Sequence, residues 1–209
     1  MISGRGSNLA ALIAAAETAR YPAEIALVLS NRADAAGLKH AQEHGIPTRV
    51  VDQARCGSNG EMERQFDAAL RDAQIELICL AGFMRILSAG FVESWHDRIL
   101  NIHPSLLPLL PGLNTHARAL EAGVKIHGAT VHFVRAKTDA GPIVAQGAVP
   151  VLPDDTPATL AARVLAVEHR LYPLALALVA SGRARVKGEL VDMESLPAAP
   201  GTALLSPSD

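Results

Sequence analysis

Short apolar runs alternate with longer amphipathic segments over residues 1–100. The apolar runs predict strands at 25–30, 48–51, 75–81 and 99–102, because each is mostly aliphatic and is bounded by polar residues, glycine or proline. The segments between them have helical periodicity, at 8–19, 34–44, 61–73 and 88–96. Strands separated by helices indicate βαβ units. We therefore predict an α/β fold with a Rossmann-like, mostly parallel twisted sheet and helices on both faces.

The pattern changes after Asn101. Residues 103–112 are rich in proline, and a short helix is predicted at 115–122. Two β-patterns at 125–135 and 142–151 are joined by a turn at 136–141, and a connection this short requires an antiparallel hairpin. A long helix is predicted to begin at Asp155 or Thr156, with Pro157 in its first turn, and Pro173 is expected to kink or break it. We expect residues 1–188 to form one domain and 189–209 a loose tail.

Charge and cysteine content narrow the class of protein. The chain has 19 basic and 21 acidic residues, a formal charge of -2, which argues against nucleic acid or a membrane surface as partner. Cys56 and Cys79 are the only cysteines and form no CxxC pair, which is typical of a reduced, cytoplasmic protein. The first residues do not resemble a signal peptide, and no apolar stretch reaches the roughly 20 residues of a membrane span.

A glycine-rich loop, residues 3–8, precedes the first predicted helix. Such a junction directs backbone N–H groups at an anion, and Ser7 and Asn8 could add N-cap side chains. A third glycine is missing and the next strand ends in Asn31-Arg32, so a single phosphate is favoured over a dinucleotide. A tight turn without a ligand remains the alternative. Only Met1 and Ile2 precede the loop, so we expect either that the given start is late or that the first strand is a stub.

Polar residues at the end of the fourth predicted strand suggest a reactive site. Asn101 and His103 would point to the same side of an extended segment, where an amide and an imidazole suit a developing oxyanion. Asp139, in the hairpin turn, is a candidate partner that would favour the charged form of His103. The alternative is a surface histidine with an unrelated turn aspartate.

Three further sets of residues have both a functional and a structural interpretation. Residues 80–87 could line a pocket for a flat heterocycle or could simply pack at a helix entry. Glu168 could contact a substrate amine or lie on a solvated helix face. His127 and His132, five residues apart in a strand, should face opposite sides, and we predict no metal site.

Several stretches together resemble the glycinamide ribonucleotide transformylase family, the folate-dependent enzymes of purine synthesis. They are SGRGSNL at 3–9, LAGFMRIL at 80–87, NIHPSLLPLLPG at 101–112, THARAL at 115–120, HGATVHFV at 127–134, DAGPIVAQ at 139–146 and EHRLYP at 168–173. The resemblance covers the chain to about residue 187, in the family's order.

The resemblance implies direct transfer of the formyl group of 10-formyltetrahydrofolate, a co-substrate, to the amine of 5'-phosphoribosylglycinamide, without a metal. Asn101 and charged His103 would stabilise the oxyanion, and Asp139 would keep His103 charged and assist proton transfer. It also implies a phosphate-binding half at 1–100, a catalytic and folate-binding half at 101–188, and a monomer or weak dimer. The residues implied for the ribonucleotide are Gly6, Ser7, Asn8 and Glu168; those for folate are Arg64, Met84, Arg85, Ile86, Leu87, Asn101, Arg135, Ala136, Lys137, Thr138 and Asp139.

The chain departs from the family pattern at two side chains. The family's folate-approaching arginine falls at about Glu63, so Arg64 would serve only after a shift of one residue. Asn114 replaces a histidine common in the family. Three other functions were weighed. A 10-formyltetrahydrofolate hydrolase would be expected to carry an additional N-terminal domain, and a methionyl-tRNA formyltransferase an additional C-terminal domain and a basic surface. A non-catalytic sugar-phosphate binding module would not need the Asn101, His103 and Asp139 set.

Overall fold

The computed structural model describes residues 1–194 of the chain. They divide into two compact units. The first unit contains residues 1–101 and 133–136, and the second contains residues 102–132 and the chain from residue 137 onward.

The first unit alternates helices and parallel strands, as the hydrophobic pattern predicts. Its strands are β1 (Val28–Ser30), β2 (Thr48–Val50), β3 (Ile78–Leu80) and β4 (Ile99–His103), the last of which continues into the second unit. Its helices are α1 (Ser7–Ala16), α2 (Gly37–Glu43), α3 (Asn59–Asp72) and α4 (Ala89–Ser94), with a 3₁₀ turn at Gln53–Arg55. β1 pairs in parallel with β2, and β3 pairs in parallel with β4.

Met1 and Ile2 lie between the two strand pairs of the first unit. Ile2 forms a parallel bridge with Ser30, and its N–H donates to the carbonyl of Leu29 at 2.9 Å. On the other side, the N–H of Ala81 donates to the carbonyl of Met1 at 2.9 Å. The stub therefore joins the β1–β2 pair to the β3–β4 pair. The Met1 ammonium donates to the Cys79 carbonyl, and its burial lowers its pKa to about 6.

The first three strands are shorter than the apolar runs that predicted them, whereas β4 extends one residue beyond its run, to His103. The run at 25–30 becomes a strand only from Val28, whose N–H donates to the carbonyl of Pro47 at 2.9 Å. Proline has no N–H, so the ladder between the two strands cannot continue toward earlier residues. The core of this unit is nevertheless complete, with Met62, Phe66 and Leu100 fully buried.

The second unit is built around antiparallel pairs and one long helix. Its elements are α5 (Thr115–Glu121), β5 (Ile126–Phe133), β6 (Ile143–Pro150), α6 (Pro157–Ala180), β7 (Ala184–Lys187) and β8 (Leu190–Met193). β5 and β6 form the predicted antiparallel hairpin, with a register shift between Val131 and His132. These pairings, with the parallel strands of the first unit, confirm the predicted α/β fold class.

Helix α6 begins as predicted but does not break. Thr156 is its N-cap and forms a reciprocal capping box with Thr159. The expected interruption at Pro173 is wrong, because one helix runs from Pro157 to Ala180. Proline within a helix removes one backbone hydrogen bond and introduces a local steric clash. Tyr172 before it and Ala175 after it are nevertheless fully buried. Burial of the apolar face on both sides of Pro173 keeps the helix continuous.

Part of the expected tail is ordered as well. Residues 190–193 form β8, which pairs antiparallel with β7 through contacts such as Val186 opposite Val191. Gly188, with φ +64°, makes the tight turn between the two strands that proline and serine content did not indicate. The remaining tail, 195–209, lies outside the described residues.

Candidate functional site

The glycine loop of the first unit is shaped by a close backbone approach. Gly6 has φ +76° and is the N-cap of α1, without a side-chain capping bond. A Cβ atom on Gly6 would lie 2.6 Å from the Cα of Gly37, so no larger residue fits there. The expectation that Ser7 or Asn8 caps the helix is wrong, since both lie inside α1. The first turn of α1 carries no acidic side chain, an arrangement suited to an anionic ligand.

Ser3 connects this loop to two neighbouring strand ends. Its hydroxyl donates to Asn31 Oδ1 at 2.6 Å and accepts the N–H of Met84 at 2.8 Å. Asn31 follows β1 and Met84 follows β3, so one buried hydroxyl fixes the loops at the carboxyl ends of parallel strands. Ligands collect at such ends in open α/β sheets.

The segment after β3 exposes the apolar side chains proposed to contact folate. Met84 and Ile86 are 73% and 72% exposed, whereas Leu87 is buried. The Arg85 guanidinium donates to Asn59 Oδ1 at 2.8 Å. Exposed large apolar residues in neighbouring positions indicate a surface that covers a ligand or a partner.

The structure distinguishes Glu63 from Arg64 on α3. The Glu63 carboxylate is buried and accepts hydrogen bonds from the backbone N–H and the hydroxyl of Ser88, the N-cap of α4. Arg64 is exposed and pairs with Glu61. Glu63 therefore serves the packing of α3 against α4, and Arg64 is the one of the two that a ligand can reach.

The predicted folate loop begins with a charge pair. Arg135 contacts Asp97 at 2.7 Å, and its side chain is only 12% exposed. Ala136, Lys137 and Thr138 are exposed. Arg135 is thus engaged within the first unit.

His103 and Asp139 meet in the second unit, as the sequence predicts. Nδ1 of His103 lies 3.5 Å from Oδ2 of Asp139, and each side chain is 8% exposed. Nε2 of His103 lies 3.1 Å from the carbonyl oxygen of Leu110. Both ring nitrogens of His103 therefore face oxygen atoms.

The carboxylate of Asp139 has further polar neighbours. Its Oδ2 accepts the N–H of Gly112 at 2.8 Å, and its Oδ1 lies 3.9 Å from Nε2 of His132. One backbone N–H and two imidazole rings therefore surround this carboxylate. Asn101 occupies the position two residues before His103 on β4 and is half-buried.

The proline-rich loop after His103 is held by a satisfied polar network. The Thr130 hydroxyl donates to the carbonyl of Ser105 at 2.7 Å and accepts the N–H of Leu107 at 3.0 Å. Gln146 Nε2 donates to that hydroxyl at 3.0 Å and to the carbonyl of Leu107 at 2.7 Å. These hydrogen bonds therefore fix the conformation of the loop that follows His103.

Sequence reasoning missed the part played by three histidines. His132 reaches Asp139, and Nε2 of His127 lies 3.2 Å from Nδ1 of His116 on α5. At the register shift between Val131 and His132 the extra residue is Val144 on β6, so the alternation within β5 is not interrupted. Burial, with a smaller effect of the charges of His116 and His103, lowers the pKa of His127 to about 4. Burial followed by the charge of His103 also lowers the pKa of His116.

Glu168 lies on α6 and is 7% exposed, so it is not a solvated face residue. The adjacent His169 has an Nε2 atom that is buried and makes no hydrogen bond within the described residues. Among residues 1–194, no three His, Cys, Asp or Glu side chains are grouped as a metal ion would require. Each helix in the same range is too short or too polar to cross a membrane.

The family model described as formyl transferase matches residues 1–176. The chain belongs to the formyl transferase family. This match spans both units, from the glycine loop through His103 and Asp139 to α6.

Members of this family with known names are similar over most of the chain. Phosphoribosylglycinamide formyltransferase of Haemophilus influenzae is 43% identical over 94% of this chain and 94% of its own length. The trifunctional purine biosynthetic protein adenosine-3 of Gallus gallus is 53% identical over 89% of this chain, which spans 18% of that larger protein. The crystal structure of glycinamide ribonucleotide transformylase 1 from Symbiobacterium toebii has a TM-score of 0.90 and 44% identity, covering 93% of this chain and 92% of that one.

Proposed function

We propose that this formyl transferase moves the formyl group of 10-formyltetrahydrofolate to the glycinamide amine of 5'-phosphoribosylglycinamide, a step of purine biosynthesis. The observation that carries the proposal is the buried His103–Asp139 pair, 3.5 Å apart, within a chain so similar to phosphoribosylglycinamide formyltransferases. An imidazolium beside a carboxylate suits stabilisation of an oxyanion together with proton movement.

The reaction balances without a metal or a covalent enzyme intermediate. The amine nitrogen attacks the formyl carbon, and its C=O bond becomes a C–O⁻ bond in the tetrahedral intermediate. Asn101 and the Nε2–H of His103 donate to this oxyanion, since Nδ1 of His103 faces Asp139; the Nε2–H exchanges its contact with the Leu110 carbonyl for the oxyanion. The intermediate then collapses, the bond from the formyl carbon to N10 breaks, and the amine proton moves to N10 with the help of Asp139.

The proposal assigns a set of binding residues to each substrate. The N–H groups at the start of α1, with Gly6, Ser7 and Asn8, hold the phosphate of the ribonucleotide, and Glu168 contacts the same substrate. The residues proposed to hold the folate come from α3, from the segment after β3, from β4 and from the loop after β5; these are Arg64, Met84, Arg85, Ile86, Leu87, Asn101, Arg135, Ala136, Lys137, Thr138 and Asp139. Holding two substrates together supplies much of the remaining acceleration.

A formyl-transfer assay with two acceptors tests the function. The purified protein should form formylglycinamide ribonucleotide from 10-formyltetrahydrofolate and 5'-phosphoribosylglycinamide, and it should release little formate when the ribonucleotide is omitted. His103→Ala is the matched inactive control. Formate release at the same rate with and without the ribonucleotide would instead establish a hydrolase, and binding of both ligands without turnover would establish a binding module.

We also propose a cytoplasmic location and a monomer or weak dimer, with the two small-molecule substrates as the partners. The thiols of Cys56 and Cys79, both without a disulfide, support a reducing compartment. Sedimentation velocity over a range of protein concentrations tests the oligomeric state.

A further inference from the structure

Ser3 joins the glycine loop to the segment that the proposed function assigns to folate. Its N–H donates to the carbonyl of Gly82 at 3.2 Å, and its hydroxyl accepts the N–H of Met84 at 2.8 Å. Gly82 has φ +76°, so the chain bends where it leaves β3. One residue of the glycine loop therefore holds both ends of the stretch 82–84.

Asn31 fixes the direction of the Ser3 hydroxyl. The hydroxyl donates its one proton to Oδ1 of Asn31 at 2.6 Å, so a lone pair of its oxygen is left to face the N–H of Met84. The Asn31 amide is held in turn, because its Nδ2 donates to Oε1 of Gln53 at 3.1 Å. Ser3 and Asn31 are both buried, so the loss of either side chain would leave a polar group of the other without its partner.

The backbone of residues 84–87 is held at its two ends. Leu87 is buried, whereas the side chains of Met84 and Ile86 are exposed and do not anchor the segment. The Asn59 amide lies 3.5 Å from the carbonyl of Ile86, which is the weak limit of a hydrogen bond. The 2.8 Å bond from Met84 to Ser3 is the stronger backbone restraint. The path of the segment therefore depends on the Ser3 hydroxyl.

We propose that Ser3 is a positioning residue for the folate, which acts by holding the backbone of Met84 and with it the path of residues 84–87. Asn31 supports this role by accepting the Ser3 proton. The inference rests on the proposed function, because that function assigns residues 84–87 to the folate. The glycine loop then serves both substrates: its first residue positions the folate segment, and residues 6–8 hold the phosphate.

The two substrates should respond differently to loss of the hydroxyl. Ser3→Ala keeps the backbone contact with Gly82 and removes the bond to Met84, so KM for 10-formyltetrahydrofolate should rise on the order of fivefold. KM for the ribonucleotide and kcat should stay within about twofold. Ser30→Ala is the matched control, because Ser30 is also buried and its hydroxyl also donates one hydrogen bond and accepts one, both with the backbone of Arg32. The control should have a lower Tm, as Ser3→Ala should, but wild-type KM values.

Asn31→Leu tests whether Asn31 acts through Ser3. The single variant should raise KM for 10-formyltetrahydrofolate, because the Ser3 hydroxyl loses its acceptor. The double variant Ser3→Ala/Asn31→Leu should have the same folate KM as Ser3→Ala, since without the hydroxyl Asn31 has nothing to direct. Additive increases in the double variant would overturn the supporting role of Asn31.

Two measurements without turnover complete the test. In Ser3→Ala, calorimetric titration with tetrahydrofolate should show a loss of affinity on the order of fivefold, and the Met84 amide should exchange its hydrogen faster; Ser30→Ala should show neither change. Wild-type folate KM in folded Ser3→Ala, equal losses for both substrates, or unchanged exchange at Met84 would overturn the positioning role. A wild-type protein that binds tetrahydrofolate but transfers no formyl group would overturn the proposed function alone. Absence of tetrahydrofolate binding would overturn both.

Discussion

Replacing Asp139 by asparagine isolates the charge of the carboxylate from its shape. Oδ2 of Asp139 faces both His103 and the N–H of Gly112, so the amide oxygen of asparagine can occupy that position. The amide nitrogen then takes the place of Oδ1, which lies 3.9 Å from His132. The fold keeps its contacts, and His103 loses the negative charge that favours its imidazolium form.

The magnitude follows from the distance between the two groups. At 3.5 Å and an effective dielectric constant of about 20, Coulomb's law gives about 5 kcal/mol between the imidazolium and the carboxylate. The loss of transition-state stabilisation in the variant should not exceed the contribution of one oxyanion donor, which is about 2.7–4 kcal/mol. We therefore expect kcat of Asp139→Asn to fall by about 10²–10³.

Steady-state kinetics and thermal melting together test whether Asp139 acts in the reaction or only in the fold. KM for each substrate should change by less than about threefold, because the ground-state contacts to phosphate and pterin remain. Tm should stay near that of wild type. Asp34→Asn, an exposed aspartate paired with Arg32, is the control and should leave both constants unchanged. More than half of wild-type kcat in folded Asp139→Asn would remove Asp139 from the mechanism, and a joint fall of kcat, substrate affinity and Tm would make it structural.

Three further changes test the loop and the start of α6. Ser7→Ala with Asn8→Ala should raise KM for the ribonucleotide and leave folate affinity nearly unchanged; an equal loss for both ligands would mean that the loop is structural. Gly6→Ala should lower the free energy of unfolding by about 2 kcal/mol or more, measured by urea denaturation, because Gly6 has φ +76° and lies against Gly37, whereas Gly4→Ala, with open space around it, should cost less. Arg163→Met should destabilise by about 3 kcal/mol at pH 7, since it leaves the buried Asp155 carboxylate without its two 2.8 Å contacts, and exposed Arg170→Met is the control. Hydrogen bonding to Arg163 holds the pKa of Asp155 well below its usual range, so this stability is present above the ordinary carboxyl pKa of about 4 and is lost as pH falls below it; an unfolding curve equally acid-sensitive in wild type and variant would contradict this.

Local sequence signals predicted much of the first unit because its elements are defined by local periodicity and caps. Helix α3 begins at Asn59, two residues before the apolar pattern suggested, since the Ser58 side chain accepts the N–H of Glu61. Helix α6 begins where Thr156 and Pro157 predict. What failed were features that depend on a distant partner, such as the end of β1 at Pro47 and the continuity of α6 through Pro173.

In the candidate site too, local relations could be predicted from the sequence and contacts with distant residues could not. Asn101 and His103 could be predicted as a pair because they lie two residues apart on one strand. Asp139 could be predicted because it lies in a hairpin turn that the sequence pattern indicates. The contacts of His116, His127 and His132 were not predicted, because each joins residues on different elements: His127 lies against His116 on α5, and His132 lies near Asp139 after β5. The extra residue at the register shift is Val144 on β6, since Val131 pairs with Ala145 and His132 with Ile143, so the alternation within β5 is uninterrupted. Alternation along a strand predicts on which side of the sheet a side chain lies, but it does not show which distant group that side chain meets there.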